Sequence, residues 1–345
     1  MKVVQRLKID LKDVLADFDR KVELGYKSFS SIETKNNAFF APLMCATRQR
    51  DANFYTALSV AFSRTPMLTA TESYAINQYC RGRFTLGLGS QVKPHIERRF
   101  DMPWSGKPAR QMREYINALH AIWDSCETGK PLDFQGETYR HGLLTPEFIP
   151  CNHGHGRPRV MLGAVGPYMT NVAADLADGL VTHSFTSETY LRRITLPAIK
   201  QRLEQRGKTR DDFEIMLSLF IVTGGNEEEF HENIAECRER IGFYASTPAY
   251  KTVLDSHGWG NVHEETKKLA REGRWHDIGA PIDDEILNTF AVVGEPEEIA
   301  PGIAARYGDV VDSIHCSLEL NDEETQYGII EAIAAIPSRS TQLST

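Results

Sequence analysis

The chain has 345 residues, which suits one large domain or two small ones with room for a sizeable core. Lysine and arginine total 39 against 47 acidic residues, so the net charge is −8. This balance, without any basic block, argues against a nucleic-acid partner. No apolar run approaches the roughly 20 residues of a membrane span. The six cysteines are scattered without a C-x-x-C pair, a usage typical of reduced core residues in a cytoplasmic protein.

The first part of the chain predicts strands separated by helices. Asp10 is the expected N-cap of a helix with apolar residues at 11, 14, 15, 18 and 22 that ends at Gly25. The other predicted helices cover 39–50, 67–80 and 110–128. The predicted strands cover 3–7, 28–32 and 54–62, and a fourth begins near 83 and runs into a glycine turn.

Alternation resumes after an irregular segment at 132–158, which we interpret as a loop or small hairpin that covers the site. A second irregular segment, 245–290, fits no single βα unit and is interpreted as a helical insertion. The later strands are predicted at 160–163, 179–183, 213–222 and 311–318, and the later helices at 167–177, 189–206, 227–244, 297–307 and 323–335.

Eight strands alternating with helices predict an α/β fold, a (β/α)8 TIM barrel, with an open doubly wound sheet as the alternative. A bare barrel needs about 250 residues. The surplus fits a single domain, 1–345, with insertions near 132–158 and 245–290.

In a barrel, the carboxyl ends of the strands form the active face. Glu33, His95 and His183 follow predicted strands and are the titratable groups suited to acid/base roles, although each is also explained as an ordinary polar residue. The segments expected around the cavity are 33–35, 59–64, 87–95, 163–167, 183–184 and 316–319.

Two glycine turns are candidate ligand contacts. Gly87 and Gly89 lack a Cβ and so permit close approach of a ligand, but Val92 stands where a G-x-G-x-x-G motif needs its third glycine. The turn at 163–168 opens a helix, an arrangement that presents free N–H groups to a phosphate, or is an ordinary βα turn. Arg98 either binds an anionic substrate or cofactor tail or forms salt bridges.

Other catalytic motifs are missing. Cys151, His153 and His155 invite a zinc interpretation, but no fourth ligand stands at suitable spacing, so no metal site is predicted. Without a G-x-S-x-G elbow, P-loop or H-E-x-x-H motif, hydrolase, nucleotide-triphosphatase and zincin functions lack their signatures.

The chain resembles the bacterial luciferase-like superfamily of flavin and deazaflavin oxidoreductases, and within it the actinobacterial branch linked to coenzyme F420. The similarity spans nearly the whole chain, and the run from His95 to Phe100 is its most branch-specific part. The stretches that carry it are 33–35, 83–100, 102–104, 163–167, 246–250, 257–260 and 290–294.

The resemblance implies a (β/α)8 barrel, usually a homodimer, that binds its cofactor at the carboxyl ends of the strands. It also implies a non-proline cis peptide near 57–59. The implied phosphate contacts are Gly166, Pro167 and Tyr168, and the implied contacts to the ring and its turn are Glu33, Thr34, Ser59, Gly89 and Gln91.

The function so implied is hydride transfer between coenzyme F420 and a small organic substrate, with Arg98 at the anionic tail or the substrate. Gln91 and Val92 stand where deazaflavin sugar dehydrogenases carry a glutamate acid. His95 or His183 is therefore expected to carry the proton, because an unperturbed imidazole titrates near neutral pH. The alternatives are a reduced-FMN monooxygenase and a non-catalytic flavin-binding barrel.

Overall fold

The computed structural model describes residues 1–150 and 152–339. It confirms the (β/α)8 TIM barrel, whose parallel strands form a closed ring, and excludes the open sheet. Two compact units can be described. The N-terminal unit holds residues 4–164 and 171–181, and the C-terminal unit holds residues 1–3, 165–170 and those from 182 onward.

Parallel strands with aromatic side chains form the centre of the N-terminal unit. Phe29 pairs with Gln5 on one side and with Phe54 on the other, and Phe54 in turn pairs with Phe84. The ring of Phe18 lies 4.7 Å from that of Phe29, so a helix packs directly on the strands. The strands along this part of the chain are β1 (Lys2–Arg6), β2 (Ser28–Ser31), β3 (Asn53–Thr56), β4 (Ser59–Val60), β5 (Phe84–Gly89), β6 (Phe134–Gln135), β7 (Arg140–His141), β8 (Arg159–Ala164) and β9 (Gly179–Thr182).

Local capping explains where the helices of this region begin and end. Thr65 accepts a hydrogen bond from the Leu68 N–H at 3.3 Å, and Pro66 occupies the first helical position. Gly129 ends the longest of them with a left-handed φ of 70°. The helices are α1 (Val14–Glu23), α2 (Phe40–Ala46), α3 (Pro66–Tyr79), α4 (Lys93–Arg98), α5 (Pro108–Thr128) and α6 (Pro167–Leu176).

Asp10 is not the N-cap that the sequence predicts. Its carboxylate accepts from the Lys12 N–H at 3.1 Å in a turn that precedes the helix, and α1 begins only at Val14. A short-range side-chain bond thus competes with the helix for the same residues.

The continuous third strand predicted over 54–62 is wrong, because the chain breaks into β3 and β4. The Ala57 N–H bonds to the Ser31 carbonyl at 2.7 Å, and the Leu58 carbonyl accepts from the Glu33 N–H at 3.1 Å. The Ala57–Leu58 peptide is cis, as the resemblance implied. Beyond it, Ser59 pairs with Leu88.

The C-terminal unit contains two parallel pairings. Met216 pairs with Ser313, and Phe220 pairs with Ala291. The predicted strand at 213–222 is therefore divided, because its second half pairs with a short strand that the sequence pattern did not reveal. These strands are β10 (Glu214–Ser218), β11 (Phe220–Val222), β12 (Ala291–Val293) and β13 (Ser313–Cys316).

Helices fill most of the remaining C-terminal unit, and the segment 245–290 is largely helical, as the sequence predicts. The single helix predicted over 189–206 is instead interrupted by a π-helical segment, Leu191–Thr195. Asn226 caps α9, whose first turn carries three glutamates that complement the helix dipole. The helices are α7 (Glu188–Tyr190), α8 (Leu196–Gln205), α9 (Glu227–Ala245), α10 (Lys251–Asp255), α11 (Gly260–Arg271), α12 (Asp284–Phe290), α13 (Pro296–Tyr307) and α14 (Glu323–Ala335).

Two observations bear on the setting of the chain. None of the helices in the described residues combines the length and the apolar character needed to cross a membrane. The five cysteines outside the undescribed position 151 are buried, and none of them forms a disulfide. Burial raises the pKa of the Cys45 thiol to about 12, as expected of a core residue without redox chemistry.

Candidate active site

Glu33 is a buried residue of the N-terminal unit, and both its carboxylate oxygens accept hydrogen bonds. One oxygen accepts from the Val60 N–H at 2.6 Å and from the Ser59 hydroxyl at 3.1 Å. The other accepts from the Arg64 guanidinium. Because Arg64 also donates to the Ser59 hydroxyl at 3.2 Å, these three side chains form one network, which we call the Glu33 clasp. The geometry favours a role in holding β4 in place.

The glycines of β5 and β8 accommodate this break in the third strand. A Cβ on Gly87 would lie 2.0 Å from the Thr56 carbonyl oxygen. Added Cβ atoms on Gly89 and Gly163 would lie 3.0 and 2.2 Å from the Leu58 side chain. The glycines therefore permit close approach of the chain itself, in addition to the ligand contact that the sequence predicts.

Thr34 and Gln91, two other predicted cofactor contacts, differ in whether their side chains already have hydrogen-bond partners. The Thr34 hydroxyl, just beyond β2, is buried and has no hydrogen-bond partner among the described residues. Gln91 follows β5 with a φ of 57°, a left-handed conformation that a non-glycine residue rarely adopts outside constrained sites. Its amide oxygen accepts from the Val92 N–H at 3.0 Å. Thr34 therefore offers an unused donor, whereas Gln91 is partly committed to its own turn.

The helix α4 carries the predicted charged residues of this unit on its solvent side. His95 and Arg98 are exposed, and neither side chain makes a contact with the Glu33 clasp within the described residues. Arg99 instead reaches back and donates to the Thr34 carbonyl. The structure thus ties α4 to the turn after β2 and leaves His95 and Arg98 accessible.

The glycine turn of the C-terminal unit opens α6. A Cβ on Gly166 would meet nothing within 4 Å, so open space adjoins this backbone. The Gly166 carbonyl accepts from the Thr170 N–H at 3.1 Å, which closes the first helical turn. Pro167 begins the helix, and the Tyr168 side chain is 79% exposed. The arrangement suits an anion at the helix start.

His183, directly after β9, lies in a cluster of aromatic rings. The Tyr244 and Tyr250 rings each lie 4.6 Å from the imidazole, the former edge-on. Nδ1 accepts from the Phe185 N–H at 3.0 Å, and Nε2 lies 3.4 Å from the Tyr250 hydroxyl. Burial lowers the pKa of His183 to about 4. The expectation that His183 titrates near neutral pH is therefore wrong, because the enclosed imidazole loses its solvation as a cation.

A hydrogen bond between Ser187 and His257, neither of which was predicted as a site residue, supports this cluster. His257 Nε2 lies 2.7 Å from the Ser187 hydroxyl oxygen, and its ring stacks on Trp259 at 4.5 Å. The same hydroxyl accepts from the Tyr190 N–H at 3.0 Å and so caps α7. Ser187 is fully buried, so the pair joins the insertion to the segment after β9.

The segment at 132–158 contains the expected hairpin, formed by β6 and β7. His153 packs on the Tyr74 ring at 4.1 Å, and its Nδ1 accepts from the His155 N–H at 3.1 Å. No three histidine, cysteine, aspartate or glutamate side chains in the described chain are placed to hold a metal ion. Cys151 lies outside the described residues.

Sequence reasoning missed three groups that the structure brings into these networks. Arg64 fell in a segment expected at the cavity but received no role. Tyr250 and His257 lie in stretches that carried the family resemblance, yet nothing in their spacing indicated contact with His183 or Ser187.

A parallel barrel with polar groups and glycine turns at the carboxyl ends of its strands is a scaffold on which many kinds of enzyme build their sites. The sequence profile of the luciferase-like monooxygenases matches residues 9–313. An uncharacterised protein of Mycobacterium tuberculosis is 40% identical over 290 residues, or 84% of this chain and 85% of the relative. The chain belongs to the luciferase-like monooxygenase family, a family of oxidoreductases.

Solved structures share the fold. The coenzyme F420-dependent tetrahydromethanopterin reductase of Methanopyrus kandleri superposes with a TM-score of 0.75 at 16% identity, over 97% of this chain and 98% of that one. The oxygenating component of 3,6-diketocamphane monooxygenase of Pseudomonas putida, solved with FMN, gives a TM-score of 0.65 at 14% identity, with 97% of each chain covered. At such identities the likeness concerns the fold.

Proposed function

We propose that this protein transfers a hydride between coenzyme F420 and a small organic substrate. Support comes from membership of the luciferase-like family and from the deazaflavin enzyme among its structural neighbours. When bound, the deazaflavin supplies or accepts the hydride; the protein binds it, orients the substrate and excludes water. We also propose that the protein is a homodimer, as the family resemblance implies, and that it is located in the cytoplasm, as its cysteine usage predicts.

The observation that carries the proposal is the buried Thr34 hydroxyl without a partner. An unpaired buried polar group is costly, and a polar ligand atom would satisfy it. Thr34 lies at the end of a barrel strand, where barrels bind their ligands. The same unit would contribute Gly89, Gln91, Glu33 and Ser59, the last two through the Glu33 clasp that shapes the turn.

The remaining assignments concern charge and the proton. Gly166, Pro167 and Tyr168 would receive the phosphate at the start of α6, where the backbone faces open space. Arg98, exposed on α4, would approach the anionic tail or the substrate. His95 and His183 are the proposed acid/base residues. His183 acts in its neutral form, because its pKa is lowered to about 4.

Cofactor titration tests the proposal. Purified protein is titrated with coenzyme F420, FMN and riboflavin, which lacks the phosphate, and fluorescence reports binding. Thr34→Val should weaken deazaflavin binding about fivefold, since a lost hydrogen bond costs about 1 kcal/mol. Thr128→Val, at an exposed threonine outside the segments predicted at the cavity, should bind like the wild type. Tight binding of FMN without binding of the deazaflavin would overturn the proposal.

A reduced-FMN monooxygenase is the second candidate, favoured by the family that the chain matches and by the FMN-bound neighbour. Single-turnover oxidation separates the two. Reduced deazaflavin should be oxidised by substrate without oxygen, whereas reduced FMN should require oxygen. His95→Ala and His183→Ala, alone and together, test the acid/base assignment, and unchanged rates in all three variants would remove it. A non-catalytic barrel would show no substrate-dependent oxidation even in the wild type.

A further inference from the structure

The aromatic cluster of the C-terminal unit contains a hydroxyl group with an uncommitted proton. We define the cluster as His183, Phe185, Tyr244 and Tyr250. His183 and Tyr250 are only half-buried, so they are enclosed by protein yet still reachable from solvent. Their side chains meet through Nε2 and the phenolic oxygen at 3.4 Å.

The direction of that hydrogen bond follows from the other side of the imidazole. Nδ1 accepts from the Phe185 N–H at 3.0 Å, so Nδ1 carries no proton. A neutral imidazole then has its proton on Nε2. Nε2–H therefore donates to the Tyr250 oxygen, and the hydroxyl's own proton points to no acceptor among the described residues.

We infer that Tyr250 is the residue that donates a proton to the carbonyl oxygen of the substrate. The acid/base role proposed for His183 is then exerted through Tyr250, which its Nε2–H positions and whose phenolate it stabilises. The inference deepens the proposed function and rests on it. A hydroxyl that accepts from a fixed N–H has its remaining proton and lone pair directed away from the imidazole. A ketone or aldehyde is the substrate class that such a donor recognises, because its oxygen accepts one hydrogen bond before reduction and a proton during it.

The step balances for reduction of a ketone. The carbonyl carbon receives a hydride from the reduced deazaflavin of the proposed function, which is thereby oxidised. The electron pair of the broken C=O π bond forms an O–H bond with the proton that leaves Tyr250, giving an alcohol. The phenolate left behind accepts from His183 Nε2–H and regains a proton from water.

Packing alone does not require these groups. Phenylalanine at both positions would fill the same space, as Phe185 and Phe290 do where they stack at 4.3 Å nearby. Tyr244 provides the internal comparison. Its ring lies as close to His183 as that of Tyr250, but no hydrogen bond joins its hydroxyl to the imidazole. Tyr244→Phe is therefore the matched control for Tyr250→Phe.

Infrared spectroscopy tests the donor without turnover. Protein is incubated with carbon-13-labelled cyclohexanone at saturating concentration, and the carbonyl stretch of the bound ketone is measured by difference. Wild type and Tyr244→Phe should shift the band to lower frequency, and Tyr250→Phe should not. An unshifted band in the wild type, or an equal shift in Tyr250→Phe, would overturn the inference.

Turnover with reduced coenzyme F420 and cyclohexanone gives the second readout. Tyr250→Phe should lower kcat about 100-fold or more with KM changed less than about threefold, and should abolish the solvent deuterium effect. Tyr244→Phe should stay within about threefold of the wild type. Equal rates in wild type and Tyr250→Phe contradict the inference alone. Failure of the wild type to bind any deazaflavin contradicts the proposed function and leaves the infrared result to decide on Tyr250.

Discussion

The two units hold their central polar groups in opposite ways. In the N-terminal unit, the Glu33 carboxylate is a full buried charge, and donors from Ser59, Val60 and Arg64 occupy both its oxygens. In the C-terminal unit, His183 is neutral among aromatic rings, and it leaves the proton of the Tyr250 hydroxyl unused. We call the Glu33 network closed, because both carboxylate oxygens accept hydrogen bonds, and the His183 network open, because the Tyr250 hydroxyl proton has no acceptor among the described residues.

This difference suits the Glu33 network to holding the chain and the His183 network to proton transfer. A buried ion pair cannot give up or accept a proton without exposing its partner as an unpaired charge, which is expensive in a low dielectric. A neutral imidazole and a phenol carry no such penalty. Glu33 was the most conspicuous carboxylate in the sequence, yet the closed network fits it for holding the chain, while proton transfer fits the open one.

The largest effect should follow from opening the closed network. Glu33→Gln removes the nearest counter-charge of Arg64 and leaves it only Glu72, whose carboxylate lies 3.9 Å away. Removal of one partner from a buried pair costs about 3–5 kcal/mol of unfolding free energy, and Glu72 should keep the loss near the lower end of that range. Denaturant titration measures this loss. Glu137→Gln, which breaks the exposed pair with Arg110, should cost less than about 1 kcal/mol.

A double variant sharpens the same test. Glu33→Gln combined with Arg64→Met removes both charges and should cost less than the sum of the single changes, because neither ion remains unpaired. Additive losses would mean that the two side chains do not depend on each other, contrary to their direct contact.

The next largest loss of stability should come from disturbing the break between β3 and β4, next to the Glu33 clasp. Gly87→Ala places a Cβ 2.0 Å from the Thr56 carbonyl oxygen, a backbone atom that cannot rotate away. We expect a loss of about 3 kcal/mol in unfolding free energy, at the upper end for overpacking. Gly166→Ala, where a Cβ meets open space, is the control and should cost less than about 1 kcal/mol. Equal costs would contradict the close approach.

Local patterns were enough to predict much of the fold. The last helix has the predicted bounds, Glu323–Ala335. Its signals, the spacing of apolar residues and the Asp322 N-cap, are local to the segment itself. The break at Ala57–Leu58 was not predictable from the strand pattern, since its hydrogen bonds come from Ser31 and Glu33. Only the family resemblance supplied it.

The candidate site shows the same division. Glu33 and Ser59 were expected near one another because both lie at the carboxyl ends of predicted strands, and the structure brings them into contact. The sequence could not indicate that Arg64 donates a hydrogen bond to the Glu33 carboxylate. Nor could it indicate that Tyr250, 67 residues beyond His183, packs against the imidazole. Both facts depend on burial and on partners distant in the chain, so the predicted pKa of His183 was wrong.

The open network should reveal itself in the pH dependence of stability. The pKa of His183 is about 4 in the folded protein, below its unfolded value of about 6.5. As pH falls, the unfolded chain binds the proton first, so the stabilisation present above pH 6.5 is lost between about 6.5 and 4. Wild type should lose about 2–3 kcal/mol relative to His183→Gln over this window. The gap between wild type and Tyr244→Phe should stay constant, and a constant gap for His183→Gln would contradict the enclosed neutral imidazole.

The smallest effect compares helix caps in the two units. Thr65→Ala removes one bond, from the Leu68 N–H to the cap of α3, and should cost about 1 kcal/mol. Ser187→Ala removes the equivalent bond from the Tyr190 N–H and also the partner of His257 Nε2, so it should cost about 1 kcal/mol more. Thermal unfolding of both variants measures the difference. Equal losses would mean that the Ser187–His257 contact adds nothing to the cap, and the aromatic cluster would then be held by ring packing rather than by hydrogen bonds from the insertion.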